Sequence, residues 1–225
     1  MKPMTDKHFA TLRRHMVEVI EIHADLLDEE LGHATLDRRV LAAMLRVPRH
    51  VFVPPQLATL AYQDTALPIG FDKTISQPFI NALMLDLLEP EPDDVVLEIG
   101  TGLGYQAAVL AELADRVWSV EIVEELASQA EARLQQLGYA TVGIRVGDGS
   151  RGWAEHAPFD KILVTASAEQ PPPALLDQLK PGGRLVMPLG PAEAQQLIAI
   201  DKDAADHGRM RGSIPVRFGR LETVL

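Results

Sequence analysis

The sequence predicts an α/β fold: an open, mainly parallel β-sheet with helices on both faces and a helical addition at the N-terminal end. Three observations carry this. The run Val95-Val96-Leu97-Glu98-Ile99 is short, mostly apolar and closed by glycines, as in a strand buried on both faces of a parallel sheet. A glycine turn, a helix-like stretch and a second apolar run from Val117 to Val120 follow it, which is βαβ order. Strand-like and helix-like segments then alternate along the chain, so ligands are expected across the carboxyl ends of the strands.

Taken in order, Phe9, Leu12, Met16, Val19 and Ile20 recur at helical spacing, as do Val40, Leu41, Met44 and Leu45, and predict two amphipathic helices. The acidic residues 25–30 between them read as a solvated helix face or a linker. His8, His15, His23 and His33 form no H-E-x-x-H or other compact ligand set, so they read as scattered surface histidines and no metal is expected. Residues 46–55, with Pro48, Pro54 and Pro55, predict an extended segment packed on the core. Residues 61–70 carry few regular-structure signals and read as an irregular loop of the kind that often bears function. Ser76 is placed as an N-cap, with Pro78 in the first turn, before an apolar helix at residues 81–88.

Residues 105–114 hold Ala107, Ala108, Leu110, Ala111 and Leu113 among good helix formers. A further helix at 124–137 has Leu126, Ala130, Leu134 and Leu137 on one face and Gly138 as its stop. The third strand, Val142 to Val146, ends in Gly147-Asp148-Gly149, where the aspartate is either a simple turn residue or one facing the ligand crevice. Residues 159–166 read as the fourth strand. Pro171-Pro172-Pro173 breaks the chain, a short helix covers 174–179, and Pro181-Gly182-Gly183 turns into a strand at 184–187. Residues 196–200 and 214–218 read as terminal strands.

The glycine turn narrows the ligand. A dinucleotide fingerprint reads G-x-G-x-x-G, and its third glycine admits close helix packing beside a pyrophosphate. Here Tyr105 holds that position, and Gly100, Gly102 and Gly104 make G-x-G-x-G. Glu121, about 20 residues beyond the turn, is suited to accept hydrogen bonds from ribose hydroxyls. An ordinary tight turn between buried elements would explain the glycines alone, but strand, turn, helix and distal acid together point to a nucleoside. S-adenosylmethionine has a ribose and an adenine but no phosphate.

Composition excludes several classes. A chain of 225 residues with 47% hydrophobic and 24% charged residues is that of a globular protein able to bury a sizeable core, most simply as one domain. Its formal charge of −11 opposes nucleic-acid binding, which rests on neutralising phosphates. No apolar run is long enough to span a bilayer and the first residues lack a signal-peptide core, so no membrane association and a cytoplasmic location are expected. The absence of cysteine excludes disulfides, thiolate metal sites and a cysteine nucleophile.

Several segments together resemble one family. Val47-Pro48-Arg49-His50 with Phe52-Val53-Pro54, Ala61-Tyr62-Gln63-Asp64, Leu67-Pro68-Ile69-Gly70, Thr74-Ile75-Ser76-Gln77-Pro78, the glycine turn, Gly147-Asp148-Gly149 and Pro158-Phe159-Asp160 are similar, in order, to the protein-L-isoaspartate O-methyltransferases. The glycine turn and Glu121 are shared by many methyltransferases, whereas Thr74-Ile75-Ser76 is much more specific. The resemblance implies a Rossmann-like class I methyltransferase domain. Residues 1–60 would be an N-terminal helical and extended addition, 61–90 a substrate-side loop and helix, 91–190 the cofactor-binding core and 191–225 the C-terminal strands.

The resemblance further implies methyl transfer from S-adenosylmethionine to the free α-carboxylate of isoaspartyl residues in damaged proteins and peptides, the ester then closing to a succinimide. It moves Ser76 from cap to catalytic residue. Asp64, Thr74 and Ile75 fall on the substrate side, and Glu98, Gly100, Thr101, Gly102, Gly104, Glu121, Asp148 and Gly149 at the cofactor, with Asp148 on the adenine amino group. The expected partners are isoaspartyl proteins and peptides, the chain acting as a monomer. Three places depart from the family pattern: a longer segment at residues 20–36, Asp72-Lys73 ahead of Thr74, and Gly219-Arg220 where a more apolar tail is usual. A class I methyltransferase for another carboxylate, or a non-catalytic cofactor-binding module, would share the cofactor motifs.

Overall fold

The computed structural model describes residues 4–27, 35–203 and 208–224. Its helices are α1 (Asp6–Leu26), α2 (Arg38–Arg46), α3 (Pro78–Leu88), α4 (Tyr105–Ala111), α5 (Glu124–Gln136) and α6 (Pro173–Gln178). Its strands are β1 (Leu67–Gly70), β2 (Lys73–Ile75), β3 (Val95–Ile99), β4 (Arg116–Glu121), β5 (Val142–Val146), β6 (Phe159–Val164), β7 (Leu179–Leu189), β8 (Gln195–Lys202) and β9 (Gly208–Val216). Seven strands form one sheet in the order β5-β4-β3-β6-β7-β8-β9, while β1 and β2 pair separately. The five strands from β5 to β7 run parallel, and β8 and β9 add antiparallel. Strand order reverses at β3, where β4 lies on one side and β6 on the other; such a switch point leaves a crevice at the carboxyl ends.

Alternation along the strands divides the core. Val96, Val117, Leu163 and Val186 join buried residues of α1 to α5 on one face, and the oppositely directed Leu97, Val120, Ile162 and Leu185 of the same strands join Leu175 of α6 on the other. Among the described residues the cover is unequal, five helices against one short one. Eight of the eleven residues of α3 are buried, because it lies between the sheet and both N-terminal helices. Among the described residues no helix is long and apolar enough to cross a membrane.

Several local expectations are corrected. Residues 46–55 are extended only in part: Val47 and Val53 are, but Arg49–Phe52 and Pro55–Leu60 form 3-10 turns, since Pro55 at the first helical position gives up only an N–H that such a turn leaves unpaired anyway. The irregular loop contains β1, which pairs antiparallel with β2. Their connection turns through Phe71 and Asp72, both at φ 54°, a left-handed pair of non-glycine residues that composition does not announce. The α3 N-cap is Gln77, not Ser76. β7 begins earlier than predicted, and Pro181-Gly182-Gly183 bulges within it, Leu179 pairing with Phe159 and Arg184 with Lys161. α4 ends at Ala111. Part of the acidic stretch, residues 28–30, and of the long 20–36 segment lies outside the described residues.

Candidate active site

A cleft of about 740 Å³ opens beyond the carboxyl ends of β3, β4 and β6, within the range of small-molecule sites. Its floor is the glycine turn. Gly100 has φ 95°, and a Cβ there would lie 2.3 Å from Thr165 Oγ1, so any side chain would displace the threonine that clips the turn. Thr165 Oγ1 donates to the carbonyl oxygens of Ile99 (3.1 Å) and Gly100 (2.9 Å). Glu121, at the end of β4, accepts from the Gly102 amide at 2.7 Å and the Val123 amide at 3.0 Å, and is 4% exposed. Its carboxylate retains lone pairs toward the cleft.

Gly100, Thr101, Gly102, Glu121 and Gly149 all line the cleft. Gly149 is needed for clearance, because a Cβ there would meet Ile99 Cγ2 at 2.2 Å. Three predicted cofactor residues stand elsewhere. Gly104 is the α4 N-cap, at φ 93°, and packs against Leu134 and Ala130 of α5, so its small size serves helix packing. Asp148 caps the 3-10 turn Gly149–Arg151: Oδ1 accepts from the Ser150 amide (2.9 Å) and hydroxyl (2.7 Å), and Oδ2 from the Val224 amide (3.1 Å). Burial would raise its pKa, but these hydrogen bonds and the Arg151 charge outweigh it and hold the carboxyl below its ordinary value.

Glu98 lies beneath the floor, fully buried. Ser119 Oγ donates to its Oε2 at 2.5 Å and stands 2.6 Å from Thr101 Oγ1, so a polar chain runs from Glu98 to the turn. Burial pushes the Glu98 carboxyl up to about 8, the Ser119 hydrogen bond opposing and the Glu121 charge adding to the rise. At neutral pH it is mainly a neutral acid.

At the other end of the cleft stand Thr74, Ile75 and Ser76. Ile75 is buried opposite Leu67 in the β1–β2 pair, Thr74 is exposed, and Ser76 lies between β2 and α3. No described residue hydrogen-bonds the Ser76 hydroxyl, which leaves its donor available. Asp64 does not line the cleft. Its Oδ1 accepts from the Phe79 amide (2.8 Å) and its Oδ2 from Gln77 Nε2 (2.7 Å), with His23 Nδ1 at 2.8 Å, so it fixes the start of α3 from behind. Lys73 pairs with Glu222, which joins the hairpin to the segment 217–222 along the mouth. Exposed Arg217 and Arg220 stand on the same rim.

Sequence reasoning assigned no role to Arg49, Asn81, Gln106 or Thr165. Arg49 and Gln106 carried a usable signal, each being polar among residues the pattern sends to the core.

The donor set suits S-adenosylmethionine better than a phosphate ligand. The charge closest to the turn is the Glu121 carboxylate, bound to the turn itself; it repels a pyrophosphate and favours ribose hydroxyls and a positively charged sulfur.

Comparison with known proteins places the chain in a family. The sequence model described as Protein-L-isoaspartate(D-aspartate) O-methyltransferase matches residues 21–223. Protein-L-isoaspartate O-methyltransferase 1 of Polaromonas sp. (strain JS666) is 55% identical over 219 residues, covering 97% of this chain and 93% of that protein. Protein-L-isoaspartate O-methyltransferase 2 of Syntrophobacter fumaroxidans is 51% identical over 214 residues, covering 95% and 87%. A solved protein-L-isoaspartate O-methyltransferase superposes with a TM-score of 0.76 at 26% identity, covering 93% of this chain and 67% of that one. A Plasmodium falciparum structure assigned as a beta-aspartate methyltransferase, in complex with S-adenosyl-L-homocysteine, gives 0.77 at 22% identity, covering 93% and 98%; at that identity it speaks to the fold. A match that runs through nearly the whole chain, with relatives sharing half its residues, makes the chain a member of the protein-L-isoaspartate(D-aspartate) O-methyltransferase family.

Proposed function

We propose that the chain transfers a methyl group from S-adenosylmethionine to the free α-carboxylate of L-isoaspartyl residues in damaged proteins and peptides. The observation that carries this reading is one cleft with the unclaimed Ser76 hydroxyl at one end and the Glu121-bound glycine turn at the other. When bound, S-adenosylmethionine supplies an electrophilic methyl group on a positively charged sulfur. Gly100, Thr101, Gly102 and Gly149 would hold it, with Glu121 accepting from the ribose hydroxyls.

The rest of the chemistry falls to positioning. A carboxylate with an ordinary pKa near 4 is already ionised at neutral pH, so the cleft needs no general base. Ser76 donates its hydroxyl proton in a hydrogen bond to one carboxylate oxygen and leaves the other free to attack. It is not a nucleophile. Alignment and exclusion of water contribute up to about 7–11 kcal/mol in well-oriented reactions. The methyl ester is a better electrophile than the carboxylate and carries a good leaving group, so the neighbouring amide nitrogen attacks its carbonyl and closes a succinimide with loss of methanol, and hydrolysis returns part of it as normal aspartyl linkage. We read the chain as acting as a monomer in the cytoplasm on peptide rather than nucleic-acid substrates; its formal charge of −11 opposes nucleic-acid binding.

The test is transfer from labelled S-adenosylmethionine to paired peptides differing only in an isoaspartyl or aspartyl linkage, with Ser76→Ala alongside. Transfer confined to the isoaspartyl peptide and reduced at least about 10-fold in the variant is expected. Cofactor binding with transfer to neither peptide would refute the assignment.

A further inference from the structure

Arg49 is fully buried, does not line the cleft, and makes no ion pair among the described residues. Burying a guanidinium is costly unless its nitrogens find acceptors. Its partners are three neutral oxygens from three segments. Nε donates to the Ala61 carbonyl at 2.8 Å, Nη1 to Asn81 Oδ1 at 3.1 Å and Nη2 to the Ser76 carbonyl at 2.6 Å. The guanidinium also lies over the Tyr105 ring, 4.7 Å from its centroid. Asn81 passes the link on, its Nδ2 donating to Gln106 Oε1 at 2.6 Å. Ser76, Asn81, Tyr105 and Gln106 all line the cleft, so one cation braces from behind both the substrate-side segment and the first turn of α4, which follows the glycine turn.

We propose that Arg49 is a positioning residue for methyl transfer: its planar fork fixes the Ser76 peptide unit, and hence the Ser76 hydroxyl, relative to the cofactor turn. The proposal rests on the reading of Ser76 given above. The fork geometry matters. A lysine ammonium is a point charge on a flexible stem and does not hold three oxygens at fixed angles. A shift of Ser76 by about 1 Å is enough to cost about 100-fold in rate, whereas the glycine turn is held separately by Glu121 and Thr165. A general structural role would instead lower stability and cofactor affinity together.

The experiment compares Arg49→Lys, Ser76→Ala and the double variant. Each is measured for S-adenosylhomocysteine affinity by calorimetry and for kcat and KM with an isoaspartyl peptide. Arg49→Lys is expected to lose about 10- to 100-fold in kcat, with S-adenosylhomocysteine affinity changed by less than about 3-fold. If Arg49 acts through Ser76, the double variant is no slower than Ser76→Ala alone, because the two losses are not additive. An unchanged kcat in Arg49→Lys, or losses that multiply in the double variant, overturns the proposal and leaves the Ser76 reading standing. Full activity in Ser76→Ala overturns both. Should Arg49→Lys fail to fold, Asn81→Ala removes one of the three oxygens and the link to Gln106, and its combination with Ser76→Ala decides by the same rule.

Discussion

Replacing Glu121 by glutamine tests the nucleoside end of the cleft. The carboxylate binds two backbone donors, Gly102 N at 2.7 Å and Val123 N at 3.0 Å. A carboxamide keeps one oxygen and turns an NH2 group toward the other donor. One amide of the turn then loses its acceptor in a site that is 4% exposed, a cost of about 1–3 kcal/mol. The surviving contact weakens from a charge-assisted bond of about 1.5–3 kcal/mol to a neutral one of about 0.5–1.5 kcal/mol. On the cleft side, two ribose hydroxyls meet a single acceptor oxygen. The part of this loss that falls on binding is about 1–3 kcal/mol, which corresponds to about 5- to 150-fold in Kd. Calorimetric titration of Glu121→Gln with S-adenosylhomocysteine reads that change directly, and circular dichroism with thermal melting checks that the fold is retained. A folded variant whose Kd lies within about 2-fold of the unaltered protein would refute the ribose role.

Two further outcomes follow from residues beneath and beside the turn. Gly104→Ala forces a side chain onto φ 93° and places its Cβ 3.2 Å from Leu134 Cδ1, so urea unfolding should show a loss of about 1–3 kcal/mol, and an unchanged midpoint would refute the packing role. Glu98 has a folded pKa of about 8 against an ordinary 4.5; between these values the unfolded chain has released a proton that the folded chain retains, so stability falls as pH rises through that window. Glu98→Gln lacks this loss, and its stability relative to the unaltered protein should improve steadily from about pH 5 to pH 8; a pH-independent difference would mean that Glu98 is ionised in the fold.

The sheet was legible because its strands follow simple rules. Val95–Ile99 and Val117–Val120 are apolar runs between turn signals, and both form the paired strands expected of them. The β1–β2 hairpin was not legible. Its strands are four and three residues long, one contains Pro68, and the turn depends on left-handed Phe71 and Asp72, where sequence rules look for glycine or asparagine. The site divides in the same way. Glu121 follows from its distance to the glycine turn, a local relation. Asp64 and Arg49 act across 15 and 27 residues, as an acceptor for Phe79 and a donor to Ser76, and only the packing of the N-terminal turns on α3 brings them there. Gly104 illustrates a subtler limit: three alternate glycines look equivalent, yet two line the cleft and the third makes room for α5.

Asn81 is the only asparagine in the chain. It is 3% exposed, sits inside α3, and has its amide oxygen bound by Arg49 and its nitrogen by Gln106. Deamidation requires the side-chain carbonyl carbon to be reached by the next backbone nitrogen, a bend that helix geometry and two side-chain anchors both resist. Asp148-Gly149 is the sequence most open to the corresponding aspartyl rearrangement, since glycine places no side chain in the way. There the carboxylate is held ionised by Ser150 and the Val224 amide, and an ionised carboxylate is a poor electrophile. The Asn81 bonds that brace the cleft and the Asp148 bonds that cap the neighbouring turn therefore both oppose the chain's own chemical ageing, by the very reaction whose product it is proposed to repair.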